Sequence, residues 1–376
     1  MKKKKLTAST LLLLLIGLLT LISNVTTDSA NPTVNNSNYN SKENIQDLKA
    51  DYYVYTNGNE VYAANTSSSE LEIKSENASE VINHVFSSAK EGSIVIIKAG
   101  TYNISATLVI LKPLHVYAYG AILKVNSNST QVAVQIGSEN SQILGCHSFK
   151  GAKILNTAEN KKGVGILLYN SHFGTLEDTE IWFFEVAVHS KGSWDYTIRS
   201  CIFRVNKVGV KLDEDDEGVN KSNHFRIVSG YIGCDIGIYI TGNCQNVIIE
   251  NVNICDSSNL GAGIWIETAE HTVISQCYFE NNPNFDIKIE GKQKPATATQ
   301  IENCFFYVRK TAIRLENSPY TTVEGCMAVN DNGSNPAFFI DMTENAISLI
   351  CTHNYILNLK VNLFFGLNGT NVKWNN

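Results

Sequence analysis

The chain has 376 residues, 43% of them apolar, enough to bury a large core in one or two domains. Charged residues make up 18%, and 30 basic against 36 acidic side chains (net charge −6) argue against a general nucleic-acid binder, which would carry a basic stripe. Only 6 Pro exclude collagen-like and Pro-rich classes, while 43 Asn, a residue that tolerates left-handed backbone, suggest many short strands joined by tight turns.

Lys2 to Lys5 precede an uncharged, mostly apolar run from Leu6 to Ile22. Residues 1–30 read as a secretory signal peptide or, because the run is nearly long enough to span a bilayer, as an N-terminal membrane anchor and tether. Either way the remainder is expected to be secreted or on the extracellular face of the cell envelope. Sequons at Asn24, Asn35, Asn65, Asn77, Asn103, Asn128, Asn220, Asn332 and Asn368 fit an exterior glycoprotein, although an Asn/Ser/Thr-rich chain also produces them by chance. Residues 31–50 are polar and of low complexity, a linker. Residues 51–78 form a short lead-in with a hairpin signal at Asn57-Gly58. Over 79–90, Val81, Ile82, Val85 and Phe86 recur at helical spacing, with Ser79 as the candidate cap. The segment SIVIIKAGTY then reads as a buried strand and turn.

From about residue 115 the chain repeats with an irregular period of 21 to 33 residues. One strand has the form small–apolar–x–apolar. It occurs at 165–168, 187–190, 209–212, 237–240, 263–266, 286–289, 312–315, 337–340 and 360–363. A second series marks one phase position per repeat: Cys146, Thr179, Cys201, Tyr231, Val252, Cys277, Cys304, Cys326, Cys351. One pair of strands per repeat, with no helix-length segment between them, means one coil per repeat. Coils stacked about 4.8 Å apart bury a continuous core. The expectation is an all-β, single-stranded parallel β-helix solenoid over 79–370, with three short strands per coil and an N-terminal capping helix.

The repeat pattern, with 79–125 (SEVINHVFSSAKEGSIVIIKAGTYNISATLVILKPLHVYAYGAILKV), resembles the pectate-lyase-like superfamily of right-handed parallel β-helix proteins, over about 79–370. In that superfamily a capping helix is followed by a strand, a G-T-Y turn and further strands. The resemblance implies a right-handed coil. It does not fix a reaction, because the fold hosts lyases, hydrolases, epimerases, tailspikes and adhesins.

Nine Cys in an exported chain would ordinarily suggest disulfides. Six of them fall on the phase position, which instead predicts a buried ladder of mostly free thiols, with Cys234 and Cys255 as a second possible pair. No C-x-x-C or H-E-x-x-H is present, so no metal site is assigned. The acidic run 213–217 is a possible Ca²⁺ loop.

In small–apolar–x–apolar the x residue points outward. The x column reads Leu167, His189, Lys211, Tyr239, Trp265, Lys288, Arg314, Phe339, Asn362, beside a second outward column of Tyr169, Lys191, Asp213, Thr241, Glu267, Glu290, Glu316, Asp341 and Phe364. Tyr239 and Trp265 offer apolar faces for sugar rings, with Lys288 and Arg314 as further substrate-binding candidates. His189, Lys211, Asp213 and Glu267 are the catalytic candidates. Asp213 and Glu267, two coils and about 9–10 Å apart, would suit an inverting glycosidase. A lyase would instead use His189, Lys211 and Tyr239 as base and cation against a uronate. The N-T-D, D-D and G-H-G series, D-P-H-D and W-x-D-H signatures of enzymes with this fold are missing. The reading is an exported polysaccharide-binding protein, acting as a lyase or hydrolase, or alternatively a non-catalytic adhesin or envelope structural protein.

Overall fold

A residue with left-handed backbone bends the chain at the same place in each coil. Asp178, Ser200, Ser229, Asn251, Gln276, Asn303, Gly325 and His353 all have φ between +50° and +63°. Most are polar or Gly, the types that reach this region at least cost. The computed structural model describes residues 49–362 and 372–375, apart from positions 69, 129, 130, 141, 293, 331–336, 344, 345 and 347. The candidate signal or anchor, nearly all of the linker, and the sequons at Asn24, Asn35, Asn332 and Asn368 lie outside the described residues. Among the described residues no helix is long and apolar enough to cross a membrane.

The bends divide each coil into three strands, as in Val164–Tyr169, Ser171–Glu177 and Glu180–Trp182. Like strands of successive coils pair in parallel. One face is an eleven-stranded sheet with one strand per coil, from Leu108–Ile110 to Lys360–Asn362. The chain is an all-β parallel β-helix. Inside this sheet Ile166, Val188, Val210, Ile238, Ile264, Ile287, Ile313 and Ile340 stack in register, each fully buried. Each such side chain contributes about 1.5–3 kcal/mol of burial. The glycine before several of them fits where coils approach closely. A Cβ on Gly209 would lie 2.5 Å from Gly237 O, and one on Gly237 would lie 2.4 Å from Gly263 O.

The helix α1, Ala78–Ser88, buries Val81, Ile82, Val85 and Phe86 at the N-terminal end. Its cap is Asn77 and not Ser79: Asn77 Oδ1 accepts from Ser79 N at 3.0 Å, and Ser79 Oγ accepts instead from Ser105 N and Ala106 N. Asn83 substitutes for a missing neighbouring strand, accepting from Val109 N and donating to Thr107 O, both at 2.8 Å. The lead-in has the hairpin around Asn57-Gly58 and a third antiparallel strand, Glu70–Ser75.

Four register assignments differ from the sequence reading, Cys146 among them. Cys201 pairs with Gly230 and not with Tyr231. Cys351 pairs with Val323, which leaves Asn354 next to Cys326, where its Oδ1 accepts from Cys326 N at 2.8 Å. Asp341, not Phe339, stacks on Arg314, because Phe339 is fully buried against Phe306. All nine cysteines are free, but Cys146 is exposed and does not belong to the ladder. Cys277, Cys304 and Cys326 form its continuous part, buried on adjacent coils.

Candidate functional site

The eleven-stranded sheet carries the candidate residues in one column, in the order the x positions gave: Leu167, His189, Lys211, Tyr239, Trp265, Lys288, Arg314. Asp213 and Glu267 lie in the neighbouring outward column, on strands two coils apart.

The charges on this face satisfy one another. Lys211 Nζ lies 2.7 Å from Asp213 Oδ2, Lys191 Nζ 2.5 Å from Asp216 Oδ1, and Lys288 Nζ 3.1 Å from Glu290 Oε2. Lys292 Nζ lies 2.5 Å from Glu267 Oε1 and 3.5 Å from Glu290 Oε2. Arg314 pairs with Glu316 at 2.8 Å and, across one coil, with Asp341. These contacts set the protonation states. Burial opposes ionisation of Asp213, but His189 and Lys211 hold its carboxyl below the ordinary range. Burial likewise opposes ionisation of Glu290, and Lys288, Lys292 and the Trp265 indole N–H hold it low.

His189 differs from its neighbours. Burial pushes its imidazole below the usual histidine value, and Lys211 and Lys191 push the same way against Asp213. Asp213 Oδ2 is 3.6 Å away, and the buried Nε2 has no hydrogen-bond partner. Burial and the Glu267 carboxylate raise the Tyr239 phenol, so it stays protonated.

Trp265 is half-buried and occupied. Its Nε1 donates to Glu290 Oε2 at 3.0 Å, and Lys288 Nζ sits 4.3 Å and Lys292 Nζ 5.3 Å from its ring centroid. Tyr239 lies tilted by 57° at 5.7 Å. The indole is thus engaged by cations rather than presented as a bare platform.

His189, Lys211 and Tyr239 border a groove of about 550 Å³. Its floor is Val164, Val186, Val208 and Ile236, each three residues before x in its coil, and its far wall is Glu185, Lys207 and Asp235, each four before x. Leu260, 89% exposed, and Ser258 close one end. The sequence reading missed this wall. Its signal was a charged residue at the same offset in three successive coils. Glu185 and Lys207 pair at 3.4 Å.

The acidic run does not converge. Asp213 faces Lys211, Asp215 accepts from Val219 N and Asn220 Nδ2, and Asp216 accepts from Lys191 and Tyr169. Elsewhere Ser171 Oγ lies 2.9 Å from His147 Nε2, but Ser171 is fully buried, so this serine–histidine pair is a structural contact without access for a substrate.

Residues 236–376 match the family described as right-handed β-helix region, and residues 124–305 match the family described as periplasmic copper-binding protein (NosD). The chain has the fold of the right-handed parallel β-helix proteins. This β-helix is similar to the Streptococcus pneumoniae surface protein and adhesin PfbA, at 13% identity and a TM-score of 0.56, covering 78% of this chain and 96% of that one. It is similar to the Dettilon tailspike protein at 14% identity and a TM-score of 0.58, covering 74% and 58%. It is also similar to an alginate lyase from Paenibacillus sp. str. FPU-7 at 12% identity and a TM-score of 0.50, covering 76% and 97%. No curated protein matches the chain. Among the described residues of the β-helix, no three His, Cys, Asp or Glu side chains come together as a candidate metal site.

Proposed function

We propose that this protein is an exported or envelope-associated polysaccharide-binding β-helix that works without catalysis, with its ligand in the groove bordered by His189, Lys211 and Tyr239. The observation that carries this reading is the pairing of the face's carboxylates beside an open groove. A glycosidase needs one carboxyl group protonated as acid and another free as base or nucleophile. Asp213 is held ionised by Lys211, and Glu267 is tied to Lys292. A lyase needs a cation free to neutralise a uronate carboxylate. Lys211, the nearest to His189, is already spent on Asp213. The groove offers what binding needs: an aliphatic floor and a protonated phenol. The envelope or extracellular location is supported by the periplasmic description of one matching family and by the surface-adhesin neighbour.

A glycan array probed with the full chain tests this reading, followed by incubation of any bound glycan and detection of reducing ends and unsaturated products. Binding without turnover is the expected result. Turnover that disappears in Asp213→Asn or His189→Ala would overturn the non-catalytic assignment.

A further inference from the structure

The groove's charges also select among glycans. Resting on the glycan-binding reading, we infer that the groove takes a neutral or amino-bearing polysaccharide and rejects polyuronates, with Asp235 as the seat for an amino group. The cations that line the groove are committed, Lys207 to Glu185 and Lys211 to Asp213, and so is Lys191 to Asp216 in the neighbouring column. Farther along the face Lys288, Lys292 and Arg314 are committed in the same way. Asp235 differs from Glu185, the other carboxylate on the groove wall. It lines the cavity between Lys207 and Ile236, and its carboxylate makes no hydrogen bond or ion pair with the described residues.

A uronate entering this groove would have to break an existing ion pair. It would then lie beside the carboxylate it had displaced and beside Asp235, a like-charge contact that penalises wrong partners strongly. An uncharged sugar meets no such penalty. Its hydroxyls can reach the Tyr239 phenol, and its apolar face or an acetyl methyl can lie on Val186, Val208 and Leu260. A protonated sugar amine adds an attraction to Asp235 that is screened by salt.

The test is binding of the full chain to three soluble probes: N-acetylated chitooligosaccharides, their deacetylated counterparts, and polygalacturonate. Measurements at low and high salt should include Asp235→Asn and Asp235→Lys. The expected order has both hexosamine probes binding tighter than polygalacturonate by tenfold or more. Asp235→Asn should weaken the deacetylated probe by up to about fivefold and leave the acetylated probe unchanged. The salt sensitivity of the deacetylated probe should fall in the same variant. Asp235→Lys should gain affinity for polygalacturonate. Tightest binding to polygalacturonate, or equal binding of all three, would overturn the inference while leaving glycan binding intact. An unchanged ratio of deacetylated to acetylated binding in Asp235→Asn would overturn the role of Asp235. Absence of binding to every glycan class on the array would instead remove the reading beneath it.

Discussion

Asn282 Nδ2 donates to Asp286 Oδ1 at 2.9 Å inside the coil, and the other carboxyl oxygen of Asp286 has no partner. Asp286 occupies the column held by Gly237 and Gly263 in preceding coils and by Ala312 in the next. It is 1% exposed, and burial raises its carboxyl well above the ordinary aspartate value. A neutral acid in the fold against an ionised one in the unfolded chain fixes the sign. Stability is greatest below the unfolded pKa and falls as pH rises from there toward the folded pKa. Asp286→Asn keeps the acceptor for Asn282 and removes the ionisation. Thermal melts should therefore show the variant more stable than wild type at pH 7, by about 1–3 kcal/mol, with the gap closing toward pH 3. A gap independent of pH would mean that Asp286 is not buried as an acid.

Asn83 on α1 closes the open edge of the eleven-stranded sheet with two hydrogen bonds of 2.8 Å. Asn83→Ala leaves the Val109 N–H and the Thr107 carbonyl without these partners. The expected loss is about 1–3 kcal/mol in chemical denaturation. An uncovered strand edge also recruits other chains, so light scattering should report concentration-dependent association in the variant and not in wild type. Wild-type stability and monomeric behaviour in Asn83→Ala would show that the edge is protected by other means.

The coil was legible because two signals recur independently: the small–apolar–x–apolar strand, and the phase position that falls once per repeat. Where the second signal was read without the first it slipped. Tyr231 follows Gly230, itself at φ +128° and directly after the bend at Ser229, so two adjacent residues competed for one phase position. Cys351 attracted the count although the bend at His353 makes Asn354 the true member. At Ala337 the small residue was the wrong anchor, because Phe339 takes the small position of that coil and packs on Phe306. The x column was read correctly from Leu167 to Arg314, since strand alternation fixes direction. Which lysine reaches which carboxylate was not legible. Long side chains choose partners across coils, and Lys292, which lies outside both columns, takes Glu267.

The cysteines should titrate in two classes. Cys146 is exposed, while the other eight are buried. Burial pushes Cys201, Cys234 and Cys351 up to about 12, far from the reactive thiolate. Cys277 is the exception in direction, lowered by its hydrogen bond with Cys304, yet its burial blocks reagent. A chromogenic disulfide reagent should find one fast thiol in the native protein, absent in Cys146→Ser, and most of the remaining eight only after denaturation. Several fast native thiols in Cys146→Ser would mean that the ladder opens in solution.

Tyr239 and Trp265 are neighbours in one column, and the sequence alone offered both as platforms for a sugar. Their surroundings separate them. Tyr239 borders the groove, whereas Trp265 carries Lys288 at 4.3 Å from its centroid and donates its N–H to Glu290. Truncating Tyr239 removes both apolar area at the ligand, worth about 25 cal/mol per Å², and a hydroxyl able to bond a sugar. Truncating Trp265 chiefly removes a cation–π contact, worth about 0.5–2 kcal/mol to the fold. Calorimetry with a bound glycan should show Tyr239→Ala weakening affinity by about tenfold or more and Tyr239→Phe by less. Trp265→Ala should lower the melting temperature more clearly than the affinity. Loss of binding in Trp265→Ala with full binding in Tyr239→Ala would move the ligand down the face, toward Lys288 and Arg314.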